Sequence, residues 1–153
     1  MKTLTLPIVD ATAVPQRTAA KAKTQRSTQV LLVEDEPLTA EVFARALSRD
    51  GRVVEVARDG LQALRRLRDR APSLVVLDMS LPTLSGAEVV REIRAMGRTR
   101  LPIVVVSGSD RRQTNLTPAE LWPGTWLTKP IKPRDLVAVV RDLLQHADEP
   151  PQD

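Results

Sequence analysis

Short apolar runs alternate along this chain with longer stretches whose apolar residues recur every three or four positions. Val30-Leu31-Leu32-Val33 forms the first run and ends in Glu34-Asp35-Glu36. A helix is predicted from about Pro37, because proline suits a first helical turn, where its missing N–H costs nothing. Leu38, Val42, Ala46 and Leu47 are its expected apolar stripe, and Gly51 suits its stop. Arg52 to Ala57 alternates like a strand. Asp59 is a plausible N-cap for a helix carrying Leu61, Leu64 and Leu67, which Pro72 brings to an end. Leu74 to Leu77 is a third strand leading into Asp78. Ser85 with Glu88 is a capping-box signature for a helix that buries Val89, Val90 and Ile93. Ile103 to Val106, ending in Ser107, is the fourth strand, and a short piece around Thr125 to Thr128 is the fifth. The last helix starts near Pro133 and carries Leu136, Val137, Val140, Leu143 and Leu144. Between Gly108 and Trp122 the pattern is polar and holds Pro118, so a short or poorly ordered helix is expected there.

Strands that are nearly continuous in Val, Leu and Ile are buried on both faces, which implies a parallel sheet with helices on each side. The fold class is therefore α/β, an open doubly wound sheet of five βα units. Such sheets bind ligands at the carboxyl ends of their strands. The polar residues of interest fall at those ends: Glu34 and Asp35, Asp78, Ser107 and Lys129.

Composition narrows the chemistry. The 153 residues hold no cysteine and one histidine, His146, so disulfides, thiolate chemistry and histidine-built metal sites or triads are excluded. Carboxylates, hydroxyls and lysine remain. Hydrophobic residues, at 42%, suffice for one domain with a core, placed at residues 29–146. Residues 1–28 carry Lys2, Arg17, Lys21, Lys23 and Arg26 against Asp10, and read as a disordered basic tail. Residues 147–153 read as a short acidic tail. A basic tail can touch nucleic acid, but the evenly mixed charge of the body argues against a nucleic-acid partner. No stretch approaches the ~20 apolar residues that span a bilayer. The run Leu4 to Val9 is too short for a secretory signal and is cut off by Asp10. No membrane role and a cytoplasmic location are expected.

Three carboxylates, a hydroxyl and an ammonium at one sheet edge suggest a cation site beside an oxyanion site. Mg²⁺ takes oxygen ligands, commonly one or two carboxylates with phosphate oxygens. Asp35 and Asp78 can ligate directly, and Glu34 through water. Lys129 can neutralise one phosphoryl oxygen and the Ser107 hydroxyl can bond another.

Taken together, Val30 to Asp35, Leu77-Asp78-Met79-Ser80-Leu81-Pro82 with Gly86, Ser107-Gly108 and Lys129-Pro130 resemble the ordered motifs of response-regulator receiver domains. The resemblance covers about residues 29–146 and implies a flavodoxin-like strand order 2-1-3-4-5. It implies that Asp78 accepts a phosphoryl group from a sensor histidine kinase or a histidine phosphotransfer protein. It implies that Glu34, Asp35, Asp78 and the backbone carbonyl of Ser80 organise Mg²⁺, that Lys129 contacts the acyl phosphate, and that Ser107 and Trp126 form the switch. The expected role is a stand-alone receiver in a phosphorelay, acting on a downstream protein target and open to phosphorylation-dependent dimerisation. Its only chemistry would be Mg²⁺-dependent self-phosphorylation and autodephosphorylation, so it is not expected to be an enzyme in the wider sense.

Simpler readings stand beside these. Glu34-Asp35 can be a solvated helix cap, Ser107-Gly108 an ordinary turn, and Trp126 plain core. Trp126 also departs from the Tyr or Phe usual at its position, and the Gly108–Trp122 segment departs from the family's fourth-helix pattern. A phosphorylation-independent interaction module is the alternative function. A phosphoaspartyl hydrolase is disfavoured, because Ser80 stands where such enzymes carry a second Asp.

Overall fold

The computed structural model describes residues 29–146, so the readings of 1–28 and 147–153 as tails lie outside the described residues. Five strands form one sheet: β1 (Gln29–Val33), β2 (Val53–Ala57), β3 (Leu74–Asp78), β4 (Ile103–Ser107) and β5 (Gly124–Thr128). All neighbouring pairs are parallel and the order is β2-β1-β3-β4-β5. This is the α/β doubly wound arrangement the sequence implied.

Alternation along the strands sends side chains to two cores. Leu31, Val33, Val75, Leu77, Ile103 and Val105 face one side, against α2 (Gly60–Asp69) and α3 (Gly86–Ala95). Val30, Leu32, Val76, Val104 and Val106 face the other, against α1 (Pro37–Arg49) and α5 (Pro133–His146). Each of these side chains is at most 2% exposed, which explains why β1, β3 and β4 read as unbroken apolar runs.

Caps fix the helix starts. The Asp59 carboxylate accepts from the Gln62 N–H at 2.7 Å. Ser85 and Glu88 form the expected capping box at the head of α3, satisfying two otherwise orphaned donors reciprocally. Glu36, an uncommon N-cap type, accepts from the N–H groups of Leu38 and Thr39 at the head of α1.

Two expectations need correction. The predicted stripe of α1 included Leu38 and Val42, but these are 70% and 49% exposed, and the buried residues are Ala40, Phe43 and Leu47. Apolar residues lie on two sides of this helix, and the side carrying Phe43 and Leu47 is the one that packs into the core against the sheet. Leu61 is likewise 45% exposed, Ala63 taking the inward position with Leu64 and Leu67. Between β4 and β5 the chain forms a 3-10 turn, Arg111–Gln113, and then a single helical turn, α4 (Pro118–Leu121). Pro118 does not end this helix. It opens it, capped by Thr117 and Glu120.

Arginines from α3 pin this shortened segment. The Arg94 guanidinium donates to the backbone carbonyls of Arg98, Leu101, Glu120 and Leu121 at 2.8–3.2 Å. Arg91 adds the Glu120 carboxylate and the Asn115 carbonyl.

Candidate functional site

The carboxyl ends of β1, β3, β4 and β5 deliver the site, as the open-sheet rule requires. Glu34 follows β1 and is 2% exposed, its N–H donating to the Ala57 carbonyl of β2 at 3.0 Å. Asp78 closes β3 and is 6% exposed. Glu34, Asp35 and Asp78 each present a carboxylate oxygen, and these oxygens lie within 4.8 Å of one another. Asp35 is the exposed member.

Lys129 reaches into this cluster from beyond β5. Its Nζ lies 3.2 Å from Glu34 Oε2 and 3.5 Å from Asp78 Oδ2. The strand end aims it: the Lys129 N–H donates to the Ser107 carbonyl at 2.7 Å. Burial acts to lower the Lys129 ammonium, but the attraction of Asp78, then Glu34, with hydrogen bonds to both, holds it above its ordinary value. Glu34 is pushed above the usual carboxylate range, first by burial and next by the like charge of Asp78. Two of the three acids therefore share one ammonium, and the buried Glu34 pays for the crowding by holding its proton more tightly.

This donor set fits a hard divalent cation. Three carboxylates with no nitrogen or sulfur ligand match the preference of Mg²⁺ for oxygen, and the uncompensated negative charge favours a cation.

The loop after β3 is shaped by backbone contacts. Asp78 Oδ1 accepts the Ser80 N–H at 3.0 Å, which orients the carboxylate. The Gly86 N–H donates to the Met79 carbonyl at 3.0 Å, and a Cβ on Gly86 would lie 2.6 Å from Met79 Cα and 2.7 Å from the Asp78 carbonyl. Only glycine lets the head of α3 sit this close to Asp78. Thr83, at φ 73°, sits at the centre of a three-residue turn in which the Leu84 N–H donates to the Pro82 carbonyl.

Ser107 is fully buried at the end of β4, its Oγ accepting the Ser109 N–H at 3.1 Å. Trp126 is half-buried on β5, and its indole N–H donates to the Ser109 carbonyl at 3.2 Å. Both side chains thus hold the same residue of the β4–α4 loop.

The structure brings together Glu34, Asp35, Asp78 and Lys129, and ties Ser107 of β4 and Trp126 of β5 to one loop residue, Ser109. The Ser80 contact it defines is through the N–H. Sequence reasoning did not anticipate the Glu36 cap or the steric reason for Gly86. Glu is not a favoured cap type, and a clearance between two loops leaves no local pattern.

Residues 30–141 match the family model described as the response regulator receiver domain, and the chain belongs to that family. The alkaline phosphatase synthesis transcriptional regulatory protein SphR of Synechococcus elongatus is 34% identical over 134 residues, covering 82% of this chain and 52% of its own. The response regulator MprA of a Mycobacterium species is 35% identical over 125 residues, covering 80% and 54%. The chain spans about half the length of the curated relatives it matches. Among solved structures, a CheY-like receiver domain of Methanospirillum hungatei superimposes with a TM-score of 0.74 at 20% identity, covering 80% of this chain and 98% of that one, a likeness of fold. TrrA of Thermotoga maritima, solved in complex with Mg²⁺ and BeF, has a TM-score of 0.67 at 26% identity, covering 76% and 98%. Receiver domains of this kind are modules of two-component signalling rather than enzymes with an external substrate. No helix among the described residues is long and apolar enough to cross a membrane.

Proposed function

We propose that this receiver accepts a phosphoryl group on Asp78 from a phosphohistidine of a sensor histidine kinase or phosphotransfer protein, and signals through changed protein contacts. One observation carries the reading: Glu34, Asp35 and Asp78 present oxygens within 4.8 Å while Lys129 Nζ stands 3.5 Å from Asp78 Oδ2. A solvated cap would need neither the buried third acid nor the ammonium.

In the transfer, an Asp78 carboxylate oxygen forms a bond to phosphorus as the phosphorus–nitrogen bond of the donor imidazole breaks, and the imidazole leaves. Phosphoryl transfer of this kind depends on positioning and charge neutralisation more than on covalent assistance. Glu34, Asp35, Asp78 and the Ser80 carbonyl would hold Mg²⁺, which supplies positive charge against the phosphoryl oxygens. Lys129 exchanges its Asp78 contact for a phosphoryl oxygen. The Ser80 N–H keeps the carboxylate oriented throughout.

The switch follows from the shared loop. The Ser107 hydroxyl accepts from the Ser109 N–H and keeps its own proton to donate, so a turn of Ser107 toward the phosphoryl group would draw on Ser109. Displacing Ser109 disturbs the carbonyl that holds the Trp126 indole. The pinned α4 concentrates the change in Gly108–Gln113 and Trp126, the face a downstream target or a second receiver would read. Histidine-kinase donors place this chemistry in the cytoplasm.

Acetyl phosphate with Mg²⁺ tests the reading. Wild type should gain the mass of one phosphoryl group and change its Trp fluorescence, and Asp78→Asn should do neither. An unmodified wild type with unaltered fluorescence would contradict it.

A further inference from the structure

The loop between β3 and α3 makes a contact that neither the cation site nor the switch uses. Leu81 and Leu84 pack from it onto the core that α2 and α3 cover, while Pro82 and Thr83 between them are exposed. Gly60, the first residue of α2, is buried where Leu84 seats. A Cβ on Gly60 would lie 2.8 Å from Leu84 Cβ, 2.8 Å from Val89 Cγ2 and 3.3 Å from the Leu84 carbonyl. Among the described residues the glycines with positive φ are Gly51 and Gly97, so Gly60 supplies space here and not an unusual backbone angle.

Thr83 shows why that seat matters. It is the one non-glycine with positive φ among the described residues, at 73°. A β-branched side chain is disfavoured in that region, and the conformation persists only where its surroundings hold it. The Gly86 N–H bond to the Met79 carbonyl closes the base of the loop, and the Leu84 N–H bond to the Pro82 carbonyl closes its tip. Leu84, next to the strained residue, fastens that tip to a neighbouring helix. Ser80 lies between the base and the tip, and its N–H holds Asp78 Oδ1 at 3.0 Å.

We propose that Leu84, seated over Gly60, is a positioning residue for Asp78: it holds the strained turn closed and so keeps the Ser80 backbone against the carboxylate. The head of α2 thereby supports the site, although it supplies none of the acids. The consequence for Mg²⁺ rests on the phosphoacceptor reading; the hold on Asp78 does not.

Amide exchange and Mg²⁺ titration of the isotope-labelled full-length protein, both followed by NMR, test this. Leu84→Ala empties the seat, and Gly60→Ala wedges it from the other side. Alanine is a better helix former than glycine, so the second change does not weaken α2 itself. Each variant should speed exchange of the Ser80 amide about tenfold, as a local opening does. Each should also weaken Mg²⁺ binding about tenfold, the order lost when a group that orients a metal ligand is removed. Leu84→Met keeps the seat filled and should stay within about twofold of wild type in both measurements. Val140→Ala opens the core on the opposite face of the sheet and should leave Mg²⁺ affinity unchanged.

Unchanged Ser80 exchange in Leu84→Ala, or faster exchange with Mg²⁺ affinity intact, would overturn the proposal. So would an equal loss of affinity in Val140→Ala. Acetyl phosphate labelling of the same samples separates the two readings. A wild type that binds Mg²⁺ but takes no phosphoryl group, with the variants behaving as stated, would sink the phosphoacceptor reading and leave the positioning of Asp78 standing.

Discussion

Glu34 shows what the site costs the protein that carries it. Its carboxyl is 2% exposed, and burial together with the Asp78 charge pushes it above the ordinary 4.5. The folded state therefore binds this proton more tightly than the unfolded state. The favourable contribution is present below 4.5 and is lost as pH rises through the folded value. Lys129 has the same sign at the other end of the scale: its raised ammonium favours folding below 10.5 and loses that contribution as pH rises through its folded value. At neutral pH the buried Glu34 carboxylate is thus the strained member of the site. Glu34→Gln should raise the stability of the chelator-treated protein at pH 7 by up to about 1 kcal/mol, since the amide still accepts from Lys129 without a buried charge. It should at the same time weaken stabilisation by Mg²⁺. Thermal melts in chelator and in Mg²⁺ check both halves, and a destabilised variant in chelator would show that Glu34 is favourably ionised after all.

At the scale of elements, α1 divides its work between two faces. Phe43 and Leu47 anchor it to the sheet, whereas Leu38 and Val42 look outward. Phe43→Ala should cost about 3–5 kcal/mol and Leu38→Ala less than about 0.5 kcal/mol, measured by denaturant unfolding. Comparable costs would mean that the outward residues are core. This is also where sequence reading reached its limit. Strand positions, the capping box at Ser85 and the start of α1 at Pro37 were legible because each rests on local periodicity or cap chemistry. The inward face of α1 was not, since a helix with apolar residues on two sides has no single stripe and only the packed sheet chooses between them. The region from Gly108 to Trp122 reads as a short or poorly ordered helix and holds a 3-10 turn and a single helical turn, but the place of Pro118 in it was not legible. Its role as a first-turn residue depends on the Thr117–Glu120 cap and on arginines more than twenty residues earlier in the chain. The site residues were legible as an ordered set at strand ends; the Gly86 clearance and the Ser109 tether of Trp126 were not, because they are contacts between loops.

For the whole molecule, the sheet gathers the acids at one edge while α3 immobilises the segment beside it. Arg94 is a half-buried cation whose four backbone acceptors come from the α3–β4 loop and α4. Arg94→Met keeps the stem and removes every donor. It should lower stability by about 3 kcal/mol and speed hydrogen exchange at Leu121 and Trp122. Unchanged exchange there would show that α4 holds itself in place. With that segment fixed, the proposed switch would act through Ser109, the loop residue that both Ser107 and Trp126 bond.

The central claim is that Asp78 forms an acyl phosphate, and the most direct measurement is to trap it. Wild-type protein treated with acetyl phosphate and Mg²⁺, then reduced with borohydride, should yield homoserine at position 78 on peptide mapping, because hydride reduces the acyl phosphate and releases phosphate. Asp78 recovered intact, or homoserine at Asp35 or Glu34's reduced counterpart instead, would contradict the account.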